Sequence, residues 1–393
     1  MALLREERAV WALALGQMLG YACFFYIFAA LVLVWQQELD WGAGVIAAGP
    51  LVSISMAAVL SPLVGRWVDQ GFALRLMTLG TVLGAGALAL LALAWHPVAY
   101  LLAFAGLGAA ASMTLYEVCF ALMIRRFGPE ARGAITRVTL VAGLASTLAF
   151  PAGAWLAADH GWRGAVWVAV VAVLGVMLPL QAWGAFVLGG GRPRGAAPTV
   201  RAARWADLIR RPGAVGLMGL FTLLNLDHWM ILGLLRPMLD RLGVAEGPAV
   251  LAAALIGPAQ VLGRLALMAA GDRLASRRAS LWTVLAMVAG AVFLLAQGLG
   301  LWTVFAFAAV QGAAMGVLTI LKPLLVAEVN GPQDYAAASA AISLPAVAAT
   351  AIAPAVGTAL MAIGGPMLLL WAALGLSLGA LALVLRLGTG GRG

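Results

Sequence analysis

Long apolar runs succeed one another along this chain with almost nothing between them, and that pattern decides what it can fold into. From residue 9 onward, stretches of about 18 to 28 residues with few or no charges are separated by short clusters of charge, glycine or proline. Each run is long enough to cross the roughly 30 Å hydrocarbon core of a bilayer as a helix. The lipid offers no partner to backbone N–H and C=O groups, so such a segment satisfies them internally by being helical. The runs fall near 9–36, 42–64, 74–95, 97–124, 136–158 and 164–188, then near 213–238, 248–270, 280–297, 302–327, 336–362 and 365–387. With 64% hydrophobic and 10% charged residues and a mean hydropathy of +1.03, the 393 residues leave no room for a sizeable soluble domain.

The charges that remain mark topology. The one long polar stretch, 189–211, carries Arg192, Arg194, Arg201, Arg204, Arg210 and Arg211, and the positive-inside rule puts it in the cytoplasm. Six spans on either side then put both termini there too, in the inner membrane of a cell. Alternate loops agree: Arg66 and Arg75, then Arg125, Arg126 and Arg132, then Arg273, Arg277 and Arg278 fall inside, whereas the outer loops keep little beyond Arg163 and Arg241. The net charge of +9 is spread between spans rather than gathered in a patch, which argues against a nucleic-acid partner and for anionic membrane lipids. Residues 1–10, with Arg5, Glu6, Glu7 and Arg8, precede a first run too long for a signal-peptide core, so that run is read as a retained span. Cys23 and Cys119 both lie inside apolar runs, which argues against a disulfide framework or a zinc site.

The two halves repeat. Adding 203 to a residue number carries Asp69 onto Asp272, Arg75 onto Arg278, Gly128-Pro129 onto Gly331-Pro332, Pro151 onto Pro354 and Gly161 onto Gly364. A constant offset across separate loops and spans signals duplication. The expected fold is an all-α membrane protein of twelve transmembrane helices in two pseudo-symmetric six-helix bundles, 1–188 and 213–393, joined by a basic cytoplasmic linker at 189–212. Bundles of this size suggest a monomer.

The loop after the second span reads Gly65-Arg66-Trp67-Val68-Asp69-Gln70-Gly71-Phe72-Ala73-Leu74-Arg75, and its partner after the eighth reads Gly271-Asp272-Arg273-Leu274-Ala275-Ser276-Arg277-Arg278. The first resembles the G-x-x-x-D-R-x-G-R-R loop motif of the major facilitator superfamily, with Gln70 in place of an Arg, and the resemblance extends over nearly the whole chain. It implies that Asp69 with Arg75, and Asp272 with Arg278, are gating positions, the acid pairing with arginines of neighbouring spans. Arg125-Arg126-Phe127-Gly128, Arg132-Gly133 and Gly161-Trp162-Arg163, with Gly257-Pro258-Ala259-Gln260-Val261-Leu262-Gly263-Arg264, look most like the monocarboxylate and oxalate/formate porters. In that branch an Arg of span 8 binds the substrate carboxylate, and Arg264 matches it. Proton-coupled members carry an Asp four residues earlier, where this chain has Gln260.

Charge inside the membrane is costly and is a functional candidate by default. Glu117 lies in span 4, Asp227 and His228 in span 7, Arg236 near the outer end of span 7, Arg264 in span 8 and Lys322 in span 10. The resemblance makes spans 1, 4, 7 and 10 cavity-lining. Asp227 falls near mid-bilayer, where desolvation penalises a charged carboxylate. With His228 and Glu117 it is the expected proton-coupling group that position 260 no longer supplies. A plain buried Asp hydrogen-bonded to a neighbouring helix is the alternative. Arg264 is a planar donor suited to an oxyanion, and with Gln260 and Lys322 it makes the expected substrate site, walled by Tyr21 and Phe24 of span 1 and Tyr116 of span 4. An ion pair between Glu117 and Lys322 is also expected, against the simpler reading that Lys322 snorkels to the surface.

No phosphate-binding loop, metal cluster or nucleophile elbow occurs, so ATP drive and enzymatic chemistry are not expected, nor is a cofactor. The expectation is a secondary, proton-coupled symporter of a small monocarboxylate-like anion. The alternative is proton-driven efflux of drugs or other hydrophobic compounds. The span 5 signature of drug antiporters survives only as Phe150-Pro151-Ala152-Gly153, which favours the anion.

Overall fold

A computed structural model describes residues 2–189 and 205–387. The basic stretch 190–204, which holds most of the expected linker, lies outside the described residues. Among the described residues ten helices are long and apolar enough to cross a membrane: α1 Leu4–Glu38, α2 Gly44–Asp69, α3 Ala73–Ala92, α4 Pro97–Phe127, α5 Ala131–Gly189, α6 Ala214–Arg241, α7 Glu246–Ala270, α8 Ser276–Leu295, α9 Leu301–Asn330 and α10 Tyr335–Arg386. Two of them run to 59 and 52 residues, and glycines interrupt both. In α5 Gly161 adopts φ 69°, and in α10 Gly365 adopts φ 68°, a left-handed backbone that other residues resist. The offset of 203 carries Gly161 onto Gly364, also non-helical at φ −136° and next to Gly365, so the two halves break within one residue of the same position.

The chain forms two compact units. The first is residues 1–204 together with 332–340, and the second is 205–331 with 341–393. The head of α10 therefore packs with the first unit, although its sequence belongs to the second half.

In the first unit, α4 is interrupted at Leu115, whose backbone is extended at φ −84°, ψ −159°. No glycine or proline causes this. Just before it Ser112 and Thr114 turn their hydroxyls back onto the carbonyls of Ala109 and Ala110, both at 2.7 Å, a bond that can accompany a bend. The break leaves the Thr114 carbonyl without a helical donor, and Gln17 of α1 supplies one at 2.7 Å. Helix resumes at Tyr116 and runs to Phe127. Near the same position in its own span, α1 widens into a π turn over Tyr21–Phe25, a rare geometry that re-aims side chains.

In the second unit, α7 and α9 lie backbone against backbone. A Cβ added at Gly263, Gly312 or Gly316 would come within 2.3, 2.5 and 2.1 Å of the carbonyl oxygens of Ala313, Ile256 and Gln260. Small residues four apart, as at Gly312 and Gly316, allow this approach where lipid gives helices no hydrophobic reason to associate.

Candidate transport site

In the first unit the break in α4 presents Tyr116 and Glu117 at the head of a new helix. A carboxylate in a first helical turn lies near the positive end of the helix dipole. Glu117 Oε2 accepts a hydrogen bond from the Ser339 hydroxyl at the head of α10. Tyr116 stacks on Phe120 with ring centroids 4.7 Å apart and meets Tyr21 at 4.6 Å. The structure thus joins Tyr21, Tyr116 and Glu117. Phe24 goes elsewhere: the π turn points it into the helix core, where it occupies the space that a Cβ on Gly84 would need at 2.3 Å. Phe25, next to it, is exposed.

At the loop end of α2, Asp69 accepts from the backbone N–H of Ala336 at 3.1 Å and of Ala337 at 2.7 Å. These are free donors of the first turn of α10, and the carboxylate caps them. Gly65 permits the approach, since a Cβ there would lie 2.6 Å from the Ala336 carbonyl oxygen. The basic partner of Asp69 is Arg125, at 3.3 Å, which also donates to the carbonyls of Val68 at 2.8 Å and Gln333 at 2.9 Å. Arg75 is exposed and lies 5.5 Å over the Phe72 ring instead. Sequence reasoning used Arg125 as a topology marker and as part of a family motif, and did not pair it with Asp69. Its place at the end of span 4 that the sequence puts on the same side as the loop after span 2 was the available signal.

In the second unit, Asp227 of α6 is 1% exposed. Its Oδ2 accepts from Gln311 Nε2 of α9 at 3.4 Å and from the Ser377 hydroxyl of α10 at 3.3 Å, both long bonds to neutral donors. Its Oδ1 is buried and has no hydrogen-bond partner among the described residues. Residues adjacent on a helix point about 100° apart, and His228, 3% exposed, packs its ring edge-on to Trp229 at 5.5 Å with Nδ1 unpartnered among the described residues. Gln311 and Ser377 were not singled out in the sequence, although both are polar residues within apolar runs.

Arg264 of α7 is 5% exposed. Its Nε donates to Thr319 of α9 and its Nη2 to Gln260 one turn back, each at 3.4 Å. Lys322 is half-buried one turn beyond Thr319 on α9. Arg278 is exposed, and the side chain of Asp272 lies outside the described ones. Arg236 forms an ion pair with Glu246 at the rim of a cavity of about 600 Å³, which Asp240 also lines, between the end of α6 and the start of α7. Among the described residues no three His, Cys, Asp or Glu side chains converge as a metal site.

No curated protein of known function matches this sequence. Among the solved structures that share its fold are two crystal structures of a bacterial homologue of the iron transporter ferroportin in the outward-facing state, one of them with soaked iron. They are 16% and 15% identical, with TM-scores of 0.75 and 0.73, and each alignment covers 98% of this chain and 99% of the other. At such identity the likeness speaks for the fold alone. The family model described as Major Facilitator Superfamily matches residues 13–296, well over half of the chain. The chain belongs to the Major Facilitator Superfamily: it is a multi-pass membrane transporter and not an enzyme.

Proposed function

We propose that this transporter is a proton-coupled symporter of small organic anions, working as a monomer in the inner membrane with twelve crossings and with its termini and linker in the cytoplasm. The crossing count follows from length. At 1.5 Å per residue, α5 and α10 are each more than twice as long as the hydrocarbon core is thick, and each breaks at a glycine near its middle.

The observation that carries the coupling role is the surroundings of Asp227. An ionised carboxylate buried at bilayer depth with two long neutral donors and one unpartnered oxygen would be strongly destabilised. Such a group resides there with a proton, and it can exchange that proton when the site opens to water. This supports a secondary transporter driven by the proton gradient. Asp227 itself acts within the second unit, with Gln311 and Ser377 as its partners, and His228 on a different face of α6.

For the cargo, Arg264 supports an oxyanion. A guanidinium stays charged even when buried, and its planar fork fits a carboxylate in two-point fashion. Thr319 and Gln260 orient that fork from two directions. The test is counterflow in proteoliposomes with labelled lactate and oxalate, with lipophilic amines and ferrous iron as competing cargoes. Anion counterflow that is lost in Arg264→Lys supports the reading. Counterflow of iron or of a lipophilic amine with none of either anion overturns it.

A further inference from the structure

We infer that Ser339 is a positioning residue through which Glu117 controls the grip of Asp69 on the head of α10. The segment 332–340 is held by the first unit at two levels. At the lower level, Asp69 caps the amides of Ala336 and Ala337, and Arg125 binds the Gln333 carbonyl. At the upper level, Ser339 donates to Glu117.

Both levels run through one short rod. Glu117 and Arg125 lie at opposite ends of the helix Tyr116–Phe127, about 12 Å apart along its axis at 1.5 Å per residue. Above this rod is the break at Leu115, which gives it a hinge rather than a continuous helix. A charge-assisted bond from a hydroxyl to a carboxylate is roughly twice as strong as a neutral one, so the Ser339 tie is a substantial part of the hold. The ionisable groups facing Glu117 in the first unit include Tyr21 of α1 and Tyr335 of α10, with Tyr116 beside it on the rod. Cargo or a proton that engages the Glu117 carboxylate competes with Ser339 for it. Losing that bond leaves only the lower level, the Asp69 cap and the Arg125–Gln333 bond, to hold the head of α10, and the cap then opens more often.

The inference rests on the reading of Glu117 as part of the transport site, but its test needs no cargo. Amide hydrogen exchange on the full-length protein in nanodiscs reports the capped amides of Ala336 and Ala337 directly. Ser339→Ala raises their exchange about tenfold or more, Ser339→Thr leaves it near wild type, and Glu117→Ala raises it like Ser339→Ala. The double variant exchanges no faster than either single one, because both remove the same tie. Unchanged exchange in Ser339→Ala, or additive effects in the double variant, overturns the inference. A failed anion-transport assay beside the expected exchange pattern defeats the function reading alone.

Discussion

Each unit buries a polar network among its helices, and the two networks differ in one respect. In the first unit Gln17 reaches the Thr114 carbonyl at 2.7 Å and the Thr81 hydroxyl meets Gln181 at 3.1 Å, all four residues fully buried and none ionisable. In the second unit the network of Gln311 and Ser377 has a carboxyl, Asp227, at its centre. The two are not copies. The offset of 203 carries Gln17, Thr81, Thr114 and Gln181 onto Leu220, Val284, Val317 and Val384, and carries Asp227, Gln311 and Ser377 back onto Phe24, Gly108 and Leu174. Each half is polar where the other is apolar. Neutral amides and hydroxyls are enough to tie helices together in lipid, at about 1 kcal/mol per bond. The carboxyl is not needed for packing, and the proposed coupling role would account for keeping one there.

That contrast can be broken experimentally, and the largest effect is expected at Asp227. Asp227→Asn keeps the shape and the hydrogen-bonding size of the side chain but fixes it neutral. Accumulation driven by a pH gradient in proteoliposomes should fall to background while counterflow of the same cargo persists. Next come the glycines, where the two units should behave alike. Gly316→Val places a Cβ 2.1 Å from the Gln260 carbonyl oxygen and Gly108→Val places one 2.1 Å from that of Ser53. Each should cost about 3 kcal/mol or more and show as a lowered melting temperature and poor yield.

Smaller effects sharpen the distinction. Gln181→Leu removes a neutral partner of Thr81 and should lower stability by about 1 kcal/mol in a thermal melt, with pH-driven accumulation unchanged. Ser377→Ala removes one of two donors to Asp227 and should reduce pH-driven accumulation by about fivefold at most, matching a net bond of about 1 kcal/mol. A loss of coupling in Gln181→Leu equal to that in Ser377→Ala would erase the difference between the units.

Much of this was legible in the sequence because hydropathy is a direct reading of the solvent. The apolar runs gave the helices, the repeat gave the twin glycine breaks, and the scarcity of intramembrane charge drew attention to Asp227, Arg264 and Glu117. The partners were not legible. The break at Leu115 coincides with hydroxyl back-bonding by Ser112 and Thr114, with no proline or glycine to announce it. The π turn in α1 sends Phe24 into the core and Tyr21 to Tyr116, a sorting that regular helical spacing does not predict. Asp69 meets Arg125, 56 residues away, and the head of α10, more than 260 residues away, because the fold brings these segments together. Contacts at that range follow from packing, which no local pattern encodes.

The most direct test of the central claim is to follow protons themselves. A pH-sensitive dye trapped in proteoliposomes reports whether downhill entry of the anionic cargo carries protons with it. Wild type should acidify the lumen as cargo enters, and Asp227→Asn should admit cargo with no acidification. Acidification by Asp227→Asn at the wild-type rate per cargo molecule would contradict the account.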